Sequence, residues 1–382
     1  MLGASLVLLQ RHSISRLQTA WNYAQVGLLI LPLIPWLGAL SCILALVGTW
    51  RQEYHLIIRR PLNWGLAIVA SLLVITSGFA FDRSTALLGL FNFLPFFGLF
   101  AAFSVLIQTP AQLRQLAWIL VITSTPVVML GLGQLFLGWV SPVQLQAVLG
   151  WVIAPKGNPP GRMASVFMYA NVLAGYLVIV FILGVGLWIE TYQEARTVQR
   201  RKHKDVSFAP LLRCIFLSVA VIGNLVALIL TNSRNAWAIA VCASLAFALY
   251  QGWRWLVAGV AGVAGSVLLA AFGPSPLQQW LRSVVPAFFW ARLTDQLYPD
   301  RPLVLLRTTQ WQFAWVLTQQ RPWTGWGLRN FTPLYLAQMH VWLGHPHNFL
   351  LMLTAETGIP VAVLFCSWAV WVIFQGVQLL RN

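Results

Sequence analysis

Arginine and histidine side chains recur in four segments that interrupt an otherwise apolar chain. Arg162 begins the segment RMASVFMYANVLAGY, Arg234 lies in LTNSRNAWAIA, and Arg307 begins RTTQWQFAWVLTQQRPWTGWGLRNF. His347 lies in HPHNFLLMLTAETGIP. A guanidinium group stays charged and binds phosphate oxygens through a planar fork of N–H donors. If the fold brings these residues to one face, they would suit an anionic substrate.

The position of Arg234 is the sharpest of these signals. It occupies a turn of about five residues between two apolar runs, which holds its charge close to the hydrocarbon. A charge at the bilayer centre costs roughly 2.5–3.5 kcal/mol even on insertion scales. Arg234 therefore either binds an anion or extends its side chain to lipid headgroups, and the sequence leaves both interpretations open.

His347 follows Pro346 and precedes an apolar run, a pattern that predicts the start of a helix. At a helix N-terminus the dipole disfavours the imidazolium ion, so a neutral His347 could accept a proton near pH 7. An ordinary interfacial or capping histidine is the alternative. Glu356 is nine residues away, which on a continuous helix turns it to the opposite side, at about 100° per residue. We therefore interpret Glu356 as a packing or hydrogen-bonding acid near Gly358.

A metal site is disfavoured by the sequence. The spacing of His340, His345 and His347 is not a zinc pattern. In the long loop 273–346, only Asp295 and Asp300 supply carboxylates. No aspartate pair is present to hold Mg²⁺ on a diphosphate, and nucleotide-binding and hydrolase motifs are absent. The glycine-rich segment 324–331 is interpreted as a loop turn rather than a phosphate cradle. We predict no metal and no cofactor, so arginines would have to neutralise any diphosphate.

Composition decides the class of protein. Of 382 residues, 59% are hydrophobic and 8% are charged, whereas soluble domains carry about 25% charged residues. The 24 basic and 8 acidic residues give a net charge of +16. So few acids exclude a soluble enzyme or a disordered chain, and the apolar runs exclude a free nucleic-acid binder. The remaining class is a polytopic membrane protein with basic loops.

The apolar runs predict an all-α fold of roughly ten transmembrane helices, because they are continuous rather than alternating. Pro32 and Pro35 are expected to break the first run into a hairpin or a re-entrant piece. Gly358 and Pro360 are expected to divide the last run into a short helix and a full span. The runs lie at 21–50, 62–80, 85–107, 115–139, 166–189, 211–230, 235–250, 255–272 and 348–380.

The basic loops predict the orientation. The loop 190–213 is short and rich in lysine and arginine, so it should be cytoplasmic. Counting spans from there places the loops 81–84, 140–165, 231–235 and 273–346 outside. We therefore predict one membrane domain with three parts: a transmembrane bundle at 1–272, an external arginine- and tryptophan-rich loop at 273–346, and a transmembrane segment at 347–382.

The long external loop holds six arginines and no lysine. Arg307, Trp311 and Trp315 follow one another at four-residue intervals and so share one helix face. This spacing predicts a helix that lies on the outer leaflet, with tryptophans towards the lipid. Simple interfacial anchoring is the alternative explanation for most of these residues.

Taken in order, the four segments resemble the O-antigen ligase and polymerase superfamily over roughly residues 160–380. The Ser-Arg turn at Arg234, the Gly-x-Gly-x-x-Asn-Phe stretch and the His-Asn-x-x-Leu start are each weak motifs, and their order makes them specific together. The chain also looks like a cyanobacterial branch of this superfamily, some members of which have been labelled bicarbonate transporters. Family ligases usually carry a further span after the histidine-bearing segment, and this sequence stops at Asn382.

The resemblance implies a glycosyltransferase-C-like fold in the bacterial inner membrane, with a periplasmic active face and no metal. It implies a polyprenyl-diphosphate-linked glycan donor, a glycolipid or glycan acceptor, and surrounding membrane lipids, with no nucleic acid. It implies that His347 is catalytic or positions the acceptor. The arginines that bind the diphosphate are then Arg234, Arg307 and Arg162. The supporting polar residues are Asn171, Asn348 and Glu356.

Two other functions compete with this enzyme hypothesis. One is a transporter for a small anion such as bicarbonate, although the runs show no internal repeat and almost no charge in their interiors. The other is a non-catalytic membrane subunit whose arginine-rich loop binds a partner or an anionic lipid. Bound polyprenyl diphosphate glycan after purification would favour the enzyme.

Overall fold

The computed structural model describes residues 10–200, 209–294 and 302–381, and over these ranges the protein is helical without β-strands. Short 3-10 helices lie at Ser15–Leu17, Val143–Leu145, Ser165–Phe167 and Leu303–Leu305. The α-helices, numbered in chain order, are α1 (Gln18–Ile30), α2 (Pro35–Arg59), α3 (Pro61–Gly78), α4 (Arg83–Leu90), α5 (Leu94–Leu106), α6 (Pro110–Phe136), α7 (Gln146–Leu149), α8 (Ala170–Arg200), α9 (Ala209–Leu230), α10 (Arg234–Tyr250), α11 (Arg254–Phe272), α12 (Leu277–Val284), α13 (Ala287–Leu293), α14 (Arg307–Gln320), α15 (Phe331–Met339), α16 (Phe349–Thr357) and α17 (Ile359–Arg381).

Seven helical segments among the described residues are long and apolar enough to cross a membrane, and α10 is a shorter apolar helix. The segments are Pro61–Gly78, Arg83–Leu106, Pro110–Phe136, Ala170–Arg196, Ala209–Leu230, Arg254–Phe272 and Ile359–Leu379. The protein is thus an all-α membrane protein, with fewer such segments than the roughly ten we expected. The first apolar run adds none, because α1 has only 13 residues and α2 is kinked at the polar Glu53.

Both expected breaks in the apolar runs are confirmed. The first run is interrupted at 31–34, and Pro35 is the first residue of α2. The last run divides into α16 and α17 at Gly358, whose φ of +82° suits a residue without a Cβ. Proline also begins α3 and α6, where its missing N–H leaves no helical bond unmade.

The chain forms two compact units, each of which draws on two separate stretches of sequence. Unit 1 comprises residues 1–45 and 107–297, and unit 2 comprises residues 46–106 and 298–382. These units are defined by contacts within the protein and not by the membrane side. The predicted division into 1–272, 273–346 and 347–382 therefore stays a prediction.

The core of unit 1 is built mainly from α6, α8, α9 and α10. Leu173 and Leu177 of α8 are fully buried with Ala227 and Leu228 of α9. A hydrogen bond between two buried polar side chains links two of these helices inside the apolar core. The amide of Asn224 on α9 donates to Ser124 Oγ on α6 at 2.9 Å.

Unit 2 contains a helix pair and a second cluster beside it. In the pair, Trp368 of α17 donates its indole N–H to the Leu62 carbonyl at the start of α3, at 2.9 Å. In the cluster, α14, α15 and α16 enclose the rings of Phe313, Phe331 and Tyr335. This cluster fixes the segments that carry Arg307 and His347.

Some charged residues of the sequence argument lie outside the described residues. In the basic 190–213 loop, these residues include Arg201, Lys202 and Lys204. In the long loop 273–346, they are Asp295, Asp300 and Arg301. The orientation of the chain in the membrane therefore stays a prediction.

Candidate active site

In unit 1, two guanidinium nitrogens of Arg162 donate hydrogen bonds. Its Nε donates to the Thr231 carbonyl at 2.8 Å, and its Nη2 donates to Asn171 Oδ1 at 2.6 Å. The next residue, Met163, donates its backbone N–H to the Leu230 carbonyl at 3.0 Å. The loop before α8 is thereby attached to the end of α9, and two residues that the resemblance singled out separately, Arg162 and Asn171, are in direct contact.

Arg234 follows the same turn, because it is the first residue of α10. Its N-cap Ser233 makes no side-chain capping bond. The positive end of a helix dipole favours anions and disfavours a cation such as arginine. Two sources of positive potential therefore coincide at this half-buried position. Arg234 Nη1 also lies 3.5 Å from the Leu293 carbonyl at the end of α13, a long and weak contact.

In unit 2, Arg307 is the first residue of α14, as Arg234 is of α10. Its N-cap Leu306 likewise makes no side-chain capping bond. The hydroxyl of the fully buried Tyr335 donates to the Val304 carbonyl, which fixes the segment before α14. The predicted helix through Arg307, Trp311 and Trp315 is confirmed, and both tryptophans are partly exposed on it.

Trp311 connects α14 to the loop that carries His345 and His347, which we call the histidine loop. Its indole N–H donates to the Pro346 carbonyl at 3.0 Å. His347 is the next residue, and the rings of His345 and His347 meet edge to face with centroids 4.4 Å apart. Arg307 lies one helical turn before Trp311. The structure thus brings Arg307 and His347 to neighbouring segments of unit 2.

The position of His347 corrects part of the sequence argument. Helix α16 begins at Phe349, and Asn348 is its N-cap, accepting the Leu351 N–H at 3.2 Å. His347 precedes the cap with a φ of +55°, so it lies outside the first turn of α16. The effect of the helix dipole falls off outside that turn. The nearby His345 is desolvated, which lowers its pKa below the ordinary value although part of its surface is exposed.

Glu356 lies at the other end of α16 and does not pair with His347. Its carboxylate accepts the Phe331 N–H at 3.4 Å. Burial raises the pKa of Glu356 to about 7, an effect opposed by backbone hydrogen bonds from Arg329 and Phe331 and by the charge of Arg329. This agrees with the interpretation of Glu356 as a packing and hydrogen-bonding acid.

The glycine-rich segment 324–331 packs its backbone against the end of α16. Gly327 N–H donates to the Glu356 carbonyl at 2.7 Å, and Trp326 N–H donates to the Ala355 carbonyl at 2.9 Å. Gly325 has a φ of +64°, and a Cβ there would lie 2.5 Å from the Glu356 carbonyl group. The segment is therefore a loop turn that contacts protein backbone, as its sequence suggested.

Two residues that position these groups, Trp311 and Asn330, were not predicted as such from the sequence. Trp311 was assigned to the lipid face, and its indole bond to Pro346 has no signal in the sequence. Asn330 is fully buried and exchanges two hydrogen bonds with the backbone of Asp82, which is 248 residues away. Across the described ranges, no three His, Cys, Asp or Glu side chains cluster as a metal site.

These observations define an integral membrane protein of the all-α class, with arginines at the starts of helices in both units. The family model described as O-antigen ligase matches residues 219–366, which include Arg234, Arg307 and His347 but not Arg162. The matched residues are thus similar to O-antigen ligases, and they make up less than half of the chain. No curated protein and no solved structure matches the chain significantly.

Proposed function

We propose that the protein transfers or polymerises a glycan from a polyprenyl-diphosphate donor onto a sugar hydroxyl of a glycolipid or glycan acceptor. The observation that carries this proposal is the O-antigen ligase match, whose range includes two helix-starting arginines and His347. The reaction needs no metal or cofactor in this proposal, because arginines supply the positive charge.

The reaction is a displacement at the anomeric carbon of the donor sugar. The acceptor oxygen forms the new glycosidic bond as the bond from the anomeric carbon to the diphosphate oxygen breaks. The electron pair of the broken bond leaves with the polyprenyl diphosphate. The acceptor hydroxyl gives its proton to His347, and attack from the side opposite the leaving group inverts the configuration.

The arginines stabilise the charge that develops on the leaving diphosphate. Arg234 and Arg307 each combine a guanidinium with a helix N-terminus, and both features favour a phosphate oxygen. The Nε and Nη2 groups of Arg162 already donate hydrogen bonds to Thr231 and Asn171. The main role of Arg162 is therefore to shape the turn before Arg234. Asn348 caps α16 and holds the backbone that follows His347.

The number of spans, the external loop and the orientation in the membrane are also part of this proposal. We propose roughly ten membrane-crossing segments in a glycosyltransferase-C-like arrangement, with residues 273–346 external. The active face is periplasmic, and the protein resides in the bacterial inner membrane. The amphipathic helix α12 supports the external loop, because its apolar Leu281 is buried while Trp280 is exposed.

Binding and chemistry can be tested separately with undecaprenyl diphosphate, the leaving group of the proposed reaction. Purified protein in detergent is titrated with this lipid, and binding is measured by native mass spectrometry. Arg234→Gln and Arg307→Gln should each weaken binding about tenfold or more, since each removes a charge-assisted hydrogen bond. Arg254→Gln is the matched control, because Arg254 also begins a helix, α11, and is exposed.

Transfer is then measured with undecaprenyl-diphosphate-linked glycan and acceptor extracted from the source membranes. His347→Ala should abolish transfer and leave undecaprenyl diphosphate binding unchanged. Addition of a chelator should leave the wild-type rate unchanged. Wild-type transfer by His347→Ala would overturn its catalytic role. Bicarbonate uptake by proteoliposomes that contain only this protein, without any transfer, would replace the enzyme by a transporter.

A further inference from the structure

Unit 2 contains a pocket that is separate from the histidine loop. It has a volume of about 680 Å³ and lies between the end of α3, the start of α4 and the end of α14. Ligand pockets typically enclose about 300–1,000 Å³. The lining residues are Gly78, Phe79, Ala80, Phe81, Arg83, Gln320, Arg321, Pro322, Trp323 and Thr324.

Two arginines give this pocket its charge. Arg321 is held in place, because its Nη1 donates to the Phe79 carbonyl at 3.1 Å and its guanidinium stacks on the Trp326 ring at 4.1 Å. Arg83 is exposed at the first position of α4. Among the residues that the structure describes, no carboxylate forms an ion pair with Arg83 or Arg321.

Asp82 is the acidic residue nearest to these arginines in sequence. Its carboxylate caps α4 by accepting the N–H groups of Ser84 and Thr85 and the hydroxyl of Thr85. The hydrogen bonds from Thr85 hold the pKa of Asp82 below its usual range, so it stays ionised. The carboxylate is occupied with the helix start and does not line the pocket. The pocket itself therefore keeps an excess of positive charge.

The surroundings of the pocket are those of a membrane interface. Gly78 ends an apolar span, and Ile359, which begins α17, donates its N–H to the Pro322 carbonyl at 2.8 Å. The pocket thus lies at one end of the helix pair α3 and α17. Trp323 is 76% exposed, and Phe79 and Phe81 are each 59% exposed. Exposed aromatic rings at the end of a span are typical of contact with lipid headgroups and upper acyl chains.

We propose that this pocket binds the phosphate group of an anionic membrane lipid. Arg83 and Arg321 bind the phosphate oxygens, and the exposed rings of Phe79, Phe81 and Trp323 contact the glycerol and upper acyl region. This site is independent of the proposed glycosyl transfer, because it shares no residue with the diphosphate-binding set.

Native mass spectrometry of the full chain in detergent tests the proposal with dioleoyl phosphatidylglycerol as the anionic probe. Dioleoyl phosphatidylcholine, which has the same chains and a zwitterionic headgroup, is the comparison lipid. We expect tighter retention of phosphatidylglycerol, weakened about tenfold in Arg83→Gln, since a charge-assisted hydrogen bond is lost. Arg254→Gln removes one charge from another exposed helix start and should leave retention unchanged, which corrects for non-specific attraction.

Three further results decide the proposal. Arg321→Lys, which keeps the charge, should retain most of the phosphatidylglycerol binding even if Arg321→Gln does not fold. Equal losses in Arg83→Gln and Arg254→Gln, or equal retention of the two lipids, would overturn the site. Displacement of bound phosphatidylglycerol by inorganic phosphate at comparable concentration would overturn its assignment to a lipid. The proposed glycosyl transfer would stand in each of those cases, because Arg83 takes no part in it.

Discussion

The indole N–H of Trp311 is predicted to hold the backbone next to His347. Trp311→Phe keeps an aromatic ring on α14 and removes the donor that lies 3.0 Å from the Pro346 carbonyl. The matched control is Trp315→Phe, one turn further along the same face. Trp315 is also partly exposed, and within the described structure its indole N–H has no protein partner.

The size of the effect follows from the loss of one hydrogen bond. A neutral intramolecular hydrogen bond contributes about 0.5–1.5 kcal/mol, which corresponds to roughly a two- to twelve-fold change in an equilibrium constant. Hydrogen–deuterium exchange of the backbone amides in the 343–349 peptide should therefore accelerate by about this factor in Trp311→Phe. The rate of glycosyl transfer should fall by a similar factor, because His347 is less often in position.

Exchange and transfer test different steps of this reasoning. If exchange accelerates equally in Trp311→Phe and Trp315→Phe, or in neither, the indole bond does not hold the loop. If exchange accelerates only in Trp311→Phe while transfer keeps its wild-type rate, the bond holds the loop, and His347 does not require that position for catalysis.

Three more predictions concern the supporting residues. Because the pKa of Glu356 is raised in the folded state, unfolding releases a proton at a pH between 4.5 and about 7. The free energy of unfolding should therefore fall by about 3 kcal/mol as the pH rises over this range. Glu356→Gln should flatten this dependence in thermal unfolding, and an unchanged pH profile would contradict it. Gly325→Ala should destabilise the protein by about 2 kcal/mol or more, whereas Gly376→Ala, with open space around it, should be nearly neutral in the same measurement. Asn171→Ala should weaken undecaprenyl diphosphate binding severalfold by releasing Arg162, and an equal effect of the exposed Asn235→Ala would contradict that route.

The helical class and the breaks in it could be predicted from the sequence because both follow from local chemistry. Apolar runs and the residues Pro35 and Gly358 act on the backbone near them, and the structure confirms their effects. Among the described residues, fewer helices than the expected ten or so are long and apolar enough to cross a membrane, and α1 and α2 of the first apolar run are not among them. Whether a run crosses a bilayer depends on its uninterrupted length, and Glu53 shortens that of α2.

The candidate site was predictable in residue type and less so in geometry. The helix through Arg307 and Trp311 follows from their spacing, whereas the contact of Arg162 with Asn171 was not predicted. The bond from Trp311 to Pro346 joins residues 35 positions apart, so no local pattern encodes it. The same holds for Asn330, whose partner Asp82 is distant in sequence. The place of Asn330 in a Gly-x-Gly-x-x-Asn-Phe stretch was the only signal in the sequence that singled out this residue.

The discontinuous make-up of unit 2 has a consequence for biosynthesis. Leu62 and Trp368, which join α3 to α17, are separated by 306 residues. At roughly 5–20 residues per second, a ribosome needs about 15–60 s to make the chain between them. Helix α3 therefore enters the membrane long before its partner exists, and the lipid must cover its contact surface during that time. Unit 1 takes its larger part from the continuous stretch 107–297, so it is complete in sequence first. A nascent chain released before α17 would then keep the helices around Arg234 and lack a complete unit 2.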